Sequence, residues 1–100
     1  MKFKSKKSIK VKAEQFNDTT ESIYNICRMF PESDIRVNYN NKKRPFMTIH
    51  ITGGRLFNLY PTDWIVKFPI EWVEEVDKFR VIDNNTFVSN FEEDIDENKV

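Results

Sequence analysis

Residues 46–68 read Phe-Met-Thr-Ile-His-Ile-Thr-Gly-Gly-Arg-Leu-Phe-Asn-Leu-Tyr-Pro-Thr-Asp-Trp-Ile-Val-Lys-Phe. Met47, Ile49 and Ile51 alternate with Thr48, His50 and Thr52, the period of two that a half-buried strand requires. Gly53-Gly54, the only glycines in the chain, follow at once, and two residues free to take positive φ suit a two-residue primed hairpin turn. The chain returns from Arg55 to Tyr60 with Phe57 and Leu59 on one face. Pro61-Thr62-Asp63 turns it again, and Trp64, Val66 and Phe68 form another alternating set. The stretch is a β-hairpin, a tight turn and a third strand.

Upstream, Ile9, Val11 and Ala13 alternate with Lys10, Lys12 and Glu14, so residues 2–16 form one long strand or two short ones. Lysines on the outward face suit an edge strand, where charge discourages edge-to-edge pairing. Asn17-Asp18-Thr19-Thr20-Glu21 starts a helix, with Asp18 as cap and Glu21 completing a capping box. Ile23, Ile26, Cys27 and Phe30 then fall at i, i+3, i+4 and i+7, one apolar stripe. Pro31 ends the helix, which is too short to stand alone and must lie on the sheet. Asp34 to Tyr39 is a further strand, and Asn40 to Pro45 a basic loop.

Downstream of Pro69, residues 70–82 carry a mixed pattern. The reading adopted is a strand that hairpins through Asp77-Lys78 into Phe79-Arg80-Val81, with a helical turn over 70–76 as the alternative. Asp83-Asn84-Asn85 is a turn or cap, and Phe87 and Phe91 lie on one face of a short helical turn. The acidic residues 94–100 are expected to be disordered. The fold class is α+β: a single domain over 1–93, with a strongly curved antiparallel sheet, open or closed like a barrel, one packed helix and a short C-terminal helical turn.

One hundred residues make one domain. Apolar content is only 39%, but nine Phe, three Tyr and two Trp supply large buried areas, enough for a folded core. The single cysteine, Cys27, allows no internal disulfide. No signal peptide or membrane span is expected, which points to the cytoplasm. The net charge is zero, yet residues 1–50 hold eleven Lys/Arg against five Asp/Glu, a difference of +6, and residues 51–100 hold five against eleven, a difference of −6. Such opposed ends are either solvated faces or two interaction surfaces of opposite sign. Six lysines lie within residues 1–12. They suit an edge strand or a phosphate-contacting arm.

Catalytic patterns are missing. His50 is the only histidine, and Thr48, Thr52 and Asp63 do not supply the nucleophile and orienting group that a general base needs. One His and one Cys fall short of a transition-metal ligand set, and Glu92, Glu93, Asp94 and Asp96 offer at most a weak hard-cation site. Gly53-Gly54 lacks the Lys-Ser/Thr of a phosphate loop. No enzyme, cofactor or metal is expected. Surface aromatics beside charges are the remaining signal. The candidate partner-binding residues are Lys42, Lys43 and Arg44 in the basic loop, with Tyr60, Glu71, Trp72, Glu74, Glu75 and Asp77.

The order of pieces resembles a family of small phage and prophage proteins. The carriers are Ile-Lys-Val-Lys-Ala-Glu-Gln-Phe (9–16), the Thr-Ile-His-Ile-Thr-Gly-Gly hairpin (48–54), Tyr-Pro-Thr-Asp-Trp-Ile-Val (60–66) and the closing Phe-x-x-x-Phe-Glu (87–92). Family members begin V-x-A-x-Q-F, carry an E-G hairpin turn and a P-G-D-W-I-I turn-strand, and end F-x-x-x-Y-E. Gly53 stands in place of the family Glu, Thr62 in place of the turn glycine, and the family G-E has no clean counterpart in residues 70–80. The resemblance implies a phage origin and a compact α+β domain, with no catalytic residue to carry over. Accessory phage proteins of this type commonly bind and block a host protein. The expectation is a non-enzymatic inhibitor of a host defence or nucleic-acid-processing factor. Its alternatives are a nucleic-acid-binding accessory protein using the basic half, and a self-associating virion or assembly component.

Overall fold

The computed structural model describes residues 2–5, 9–40, 44–51 and 55–93. Its elements are β1 (Lys2–Ser5), β2 (Lys10–Gln15), α1 (Thr20–Met29), β3 (Asp34–Asn38), β4 (Phe46–Ile51), β5 (Arg55–Leu59), β6 (Trp64–Lys67), β7 (Phe79–Ile82), α2 (Asn84–Asn90) and β8 (Phe91–Glu93), with a 3-10 turn over Glu75–Lys78 before β7. All strand pairs are antiparallel, and the class is α+β. The strands form two open sheets, ordered β7-β6-β2-β1-β8 and β3-β4-β5. The barrel option is not realised: β5 ends the smaller sheet, and the chain leaves it at Pro61 to enter the larger one. The Gly53-Gly54 turn and the acidic end from Asp94 lie outside the described residues.

The smaller sheet and α1 are an excursion between β2 and β6, which pair directly (Ala13 with Val66, Gln15 with Trp64). Its two ends are tied together. The Phe16 N–H donates to Asp63 O (2.9 Å), and the Thr62 N–H donates to Phe16 O (2.7 Å).

Helix α1 starts one residue later than Asp18 and Glu21 implied. Thr19 is the cap: its Oγ1 accepts from the Ser22 N–H (3.1 Å), and Ser22 Oγ accepts from the Thr19 N–H (3.3 Å). Ser22 is buried and also accepts from the Asn17 N–H (3.2 Å). That network leaves Asp18, at φ 49, free to receive the Tyr39 hydroxyl (2.8 Å). Aspartate tolerates the left-handed region, so the shift costs little.

Two further expectations are corrected. Residues 70–76 are not a strand, and no hairpin runs through Asp77-Lys78. β7 pairs with β6 instead (Lys67 with Phe79, Trp64 with Ile82), so 68–78 is a connecting loop. The alternation of Trp72, Glu74 and Val76 has no neighbouring strand to pair with. The lysine-bearing strands are not edges either: β1 lies between β2 and β8, and β2 lies between β1 and β6.

Each face of the larger sheet meets its own core. On one face Phe3, Val11, Ala13 and Val66 pack with Phe87 and Phe91, joined by Trp64, Phe68 and Ile82. The aromatics there interlock: Trp64 stacks on Phe87 (3.9 Å between centroids), Phe87 stacks on Phe91 (4.9 Å), and Phe3 sits edge-on to both Trp64 and Phe87. Asn84 Oδ1 accepts from Trp64 Nε1 (3.0 Å) and Gln15 Nε2 (3.2 Å), which holds α2 over the sheet. Toward β6 and β7 the other face contributes Ile65 and Phe79 to a core with Phe16, Ile26, Phe30, Met47, Ile49 and Leu59, where α1 and the smaller sheet meet. β6 is therefore buried on both sides, through Ile65 and Val66.

Candidate binding surfaces

The candidate residues separate into two groups. Glu71, Trp72, Glu74, Glu75 and Asp77 belong to the 68–78 loop, and Arg44 and Tyr60 lie on the smaller sheet. Lys42 and Lys43 lie outside the described residues.

The loop is closed tightly at its base. The Phe68 N–H donates to Lys78 O (2.8 Å), and the Asp77 N–H donates to Glu74 O (2.9 Å). The Glu75 carboxylate is held between the Lys67 and Lys78 ammonium groups. Those two hydrogen bonds keep the Glu75 carboxyl below the ordinary value of 4.5. Asp77 pairs with Arg55 at 3.3 Å, and Arg80 Nη1 donates to Asp77 O (2.8 Å) and Phe79 O (2.7 Å). Two of the acidic candidates thus hold the loop in place. The tip is different: Glu71 and Glu74 are exposed, and Trp72 is 87% exposed. The other tryptophan, Trp64, stacks in the core and has its N–H bonded.

On the smaller sheet, the Arg44 guanidinium lies 4.3 Å from the centroid of the Tyr60 ring. That ring is 5.4 Å from Phe46. The pair belongs to the solvent-facing side, where register sets Arg36 beside Thr48 and Asn58, and His50 beside Asp34 and Leu56. An open groove of about 410 Å³ runs there, lined by Arg36, Tyr39, Phe46, Thr48 and His50 among others. Two described neighbours of His50 are engaged with other groups. Its cross-strand neighbour Asp34 gives its carboxylate to Arg36 Nε (3.1 Å), and Thr48 donates to Asn58 Oδ1 (2.9 Å). Phe46 and Arg36 were not singled out from sequence; their strand alternation was readable, but their convergence with Tyr60 depends on β4 lying between β3 and β5.

Among the described residues no group of three or more His, Cys, Asp or Glu is placed to hold a metal ion. No helix among them is long and apolar enough to cross a membrane. No family model, curated protein or solved structure matches the chain.

Proposed function

We propose that this chain is a non-catalytic binding protein, of the phage accessory type that residues 9–92 resemble, which engages a host protein through the 68–78 loop. The observation that carries this reading is Trp72, 87% exposed at the tip of a loop whose base is fastened by Glu75, Asp77 and two backbone hydrogen bonds. An exposed indole is a large apolar area left in water, and tryptophan is among the residues that most often dominate an interface. A fastened loop loses little conformational entropy when it docks, so more of the contact energy appears as affinity. The rim of Glu71 and Glu74 sets the sign of the partner: an apolar pocket edged by Lys or Arg, as on a nucleic-acid-processing or defence enzyme.

The test is affinity capture from host lysate with the full chain and with Trp72→Ala, Glu71→Lys/Glu74→Lys and Arg44→Glu variants. One stoichiometric protein is expected. Its capture falls at least about tenfold in the first two variants and persists in Arg44→Glu. Full capture by Trp72→Ala with loss in Arg44→Glu would move the interface to the Tyr60 surface.

A further inference from the structure

On the larger sheet, lysines gather on the face turned away from α2. Lys2 on β1 stands opposite Lys12 on β2, and Lys12 stands opposite Lys67 on β6. One row along, Lys10 stands opposite Lys4, and Lys4 opposite Glu92 on β8. Their alternation partners Phe3, Val11, Ala13 and Val66 all point into the α2 core, so the five lysines share the other face. Neighbouring strands lie about 4.8 Å apart, and same-face residues about 6.7 Å apart along a strand. Lys2, Lys4, Lys10 and Lys12 therefore sit at the corners of a patch roughly 5 by 7 Å.

Like charges directly opposite one another destabilise a sheet. Guarding an edge does not account for them, because β1 and β2 are interior strands. Neutralisation is incomplete. Lys4 lies 3.9 Å from Glu92, and Lys67 is held by Glu75 above the Phe79 ring. Lys2 and Lys12 are exposed and make no ion pair among the described residues. The acidic groups on this face are Glu92 on β8, Glu75 beyond β6 and Glu14 two residues past Lys12 on β2, so along β1 and β2 the four lysines outnumber one carboxylate and leave a cationic track.

We propose that this track binds the phosphate backbone of nucleic acid without reading its bases. A polymer with a regularly repeated negative charge matches two rows of regularly repeated ammonium groups. Lysines act as point charges for phosphate, and neither row carries an aromatic or amide group that would stack on or read a base. Neither row carries an exposed apolar side chain that would insert into a lipid surface. The track meets the Trp72 loop only at Lys67, through Glu75, and the proposal stands whether or not that loop binds a protein.

The experiment is fluorescence anisotropy with the full chain, using a labelled single strand of about 20 nucleotides and the duplex of equal length across a salt series. Two to four neutralised phosphates predict a log–log salt slope of about −1.5 to −3 for the single strand and about −2 to −3.5 for the duplex. The Lys2→Gln/Lys12→Gln variant is expected to bind at least about tenfold more weakly at low salt, with a slope reduced by about two. Its melting temperature should hold or rise, because two opposed like charges have gone. Arg36→Gln, on the smaller sheet and off the track, should leave affinity and slope unchanged. Absence of binding at low salt overturns the proposal. So does equal affinity in the Lys2/Lys12 variant, or equally tight binding to anionic vesicles or polyglutamate.

Discussion

Thr62 carries the chain from one sheet to the other in a conformation its side chain disfavours. The Asp63 N–H donates to Tyr60 O (2.9 Å), with Pro61 and Thr62 as the central residues and Thr62 at φ 77. Proline first and positive φ second is the pattern of a type II turn, whose second central position favours glycine. For a β-branched residue the left-handed region costs about 1–2 kcal/mol. Thr62→Gly relieves that strain but frees the unfolded chain by about 0.5–1 kcal/mol. The expected net is a stabilisation of up to about 1 kcal/mol, read as a higher urea midpoint at unchanged m-value. A lower midpoint would mean that the Thr62 side chain contributes more than its strain costs. The turn itself was readable from Pro61 and Asp63. The bond from the Thr62 N–H to Phe16 O was not, because that pairing is tertiary.

The 68–78 loop and α2 show how elements depend on charge. Glu75, lowered by its bonds to Lys67 and Lys78, favours the ionised folded state. Asp83, which caps α2 by accepting from Thr86 Oγ1 (2.6 Å) and the Thr86 N–H (3.1 Å), is lowered by those bonds below the ordinary 3.8. Groups with depressed values stabilise fully above the unfolded value, and that contribution disappears as pH falls through the folded one. Stability should therefore decline below pH 4.5, the ordinary Glu75 value. Glu75→Gln should be less stable than the parent at neutral pH and converge on it as the pH falls well below that value. Thermal melts across that range check this, and a gap of constant size at all pH values would remove the ionic explanation. Tyr39 works in the opposite sense. Its bond to Asp18 raises it above the ordinary 10.0, so its contribution is present below that value and lost above it.

In the whole molecule β6 joins the two cores, because Ile65 faces α1 and the smaller sheet while Val66 faces α2. A shared central strand makes separate melting of the halves unfavourable. Ile65→Ala in one core should cost about 2–5 kcal/mol, and Phe87→Ala in the other about 3–5 kcal/mol. In both variants far-UV and near-UV circular dichroism should follow a single transition. Two resolved transitions in either one would show that the cores fold independently. The two proposed binding surfaces lie on different elements, the lysine track on β1 and β2 and Trp72 in the loop that follows β6.

The sequence by itself determined the elements that rest on local periodicity and punctuation. Alternation in Met47–Ile51 and Trp64–Phe68, the stripe of Ile23, Ile26 and Phe30, and the paired Phe87 and Phe91 are short-range patterns tied to backbone geometry. Exposed Trp72 was legible as a candidate from its charged neighbours. Tertiary structure decided everything that depends on which strands meet. It placed β1 and β2 inside the sheet, set Lys12 between Lys2 and Lys67, and turned 70–76 into a loop by pairing β7 with β6. It also committed Glu75 and Asp77 to Lys67, Lys78 and Arg55. The physical reason is that side-chain alternation specifies a strand's faces but not its neighbours. Neighbours follow from long-range burial, here of Ile65 and Val66 on opposite sides of one strand.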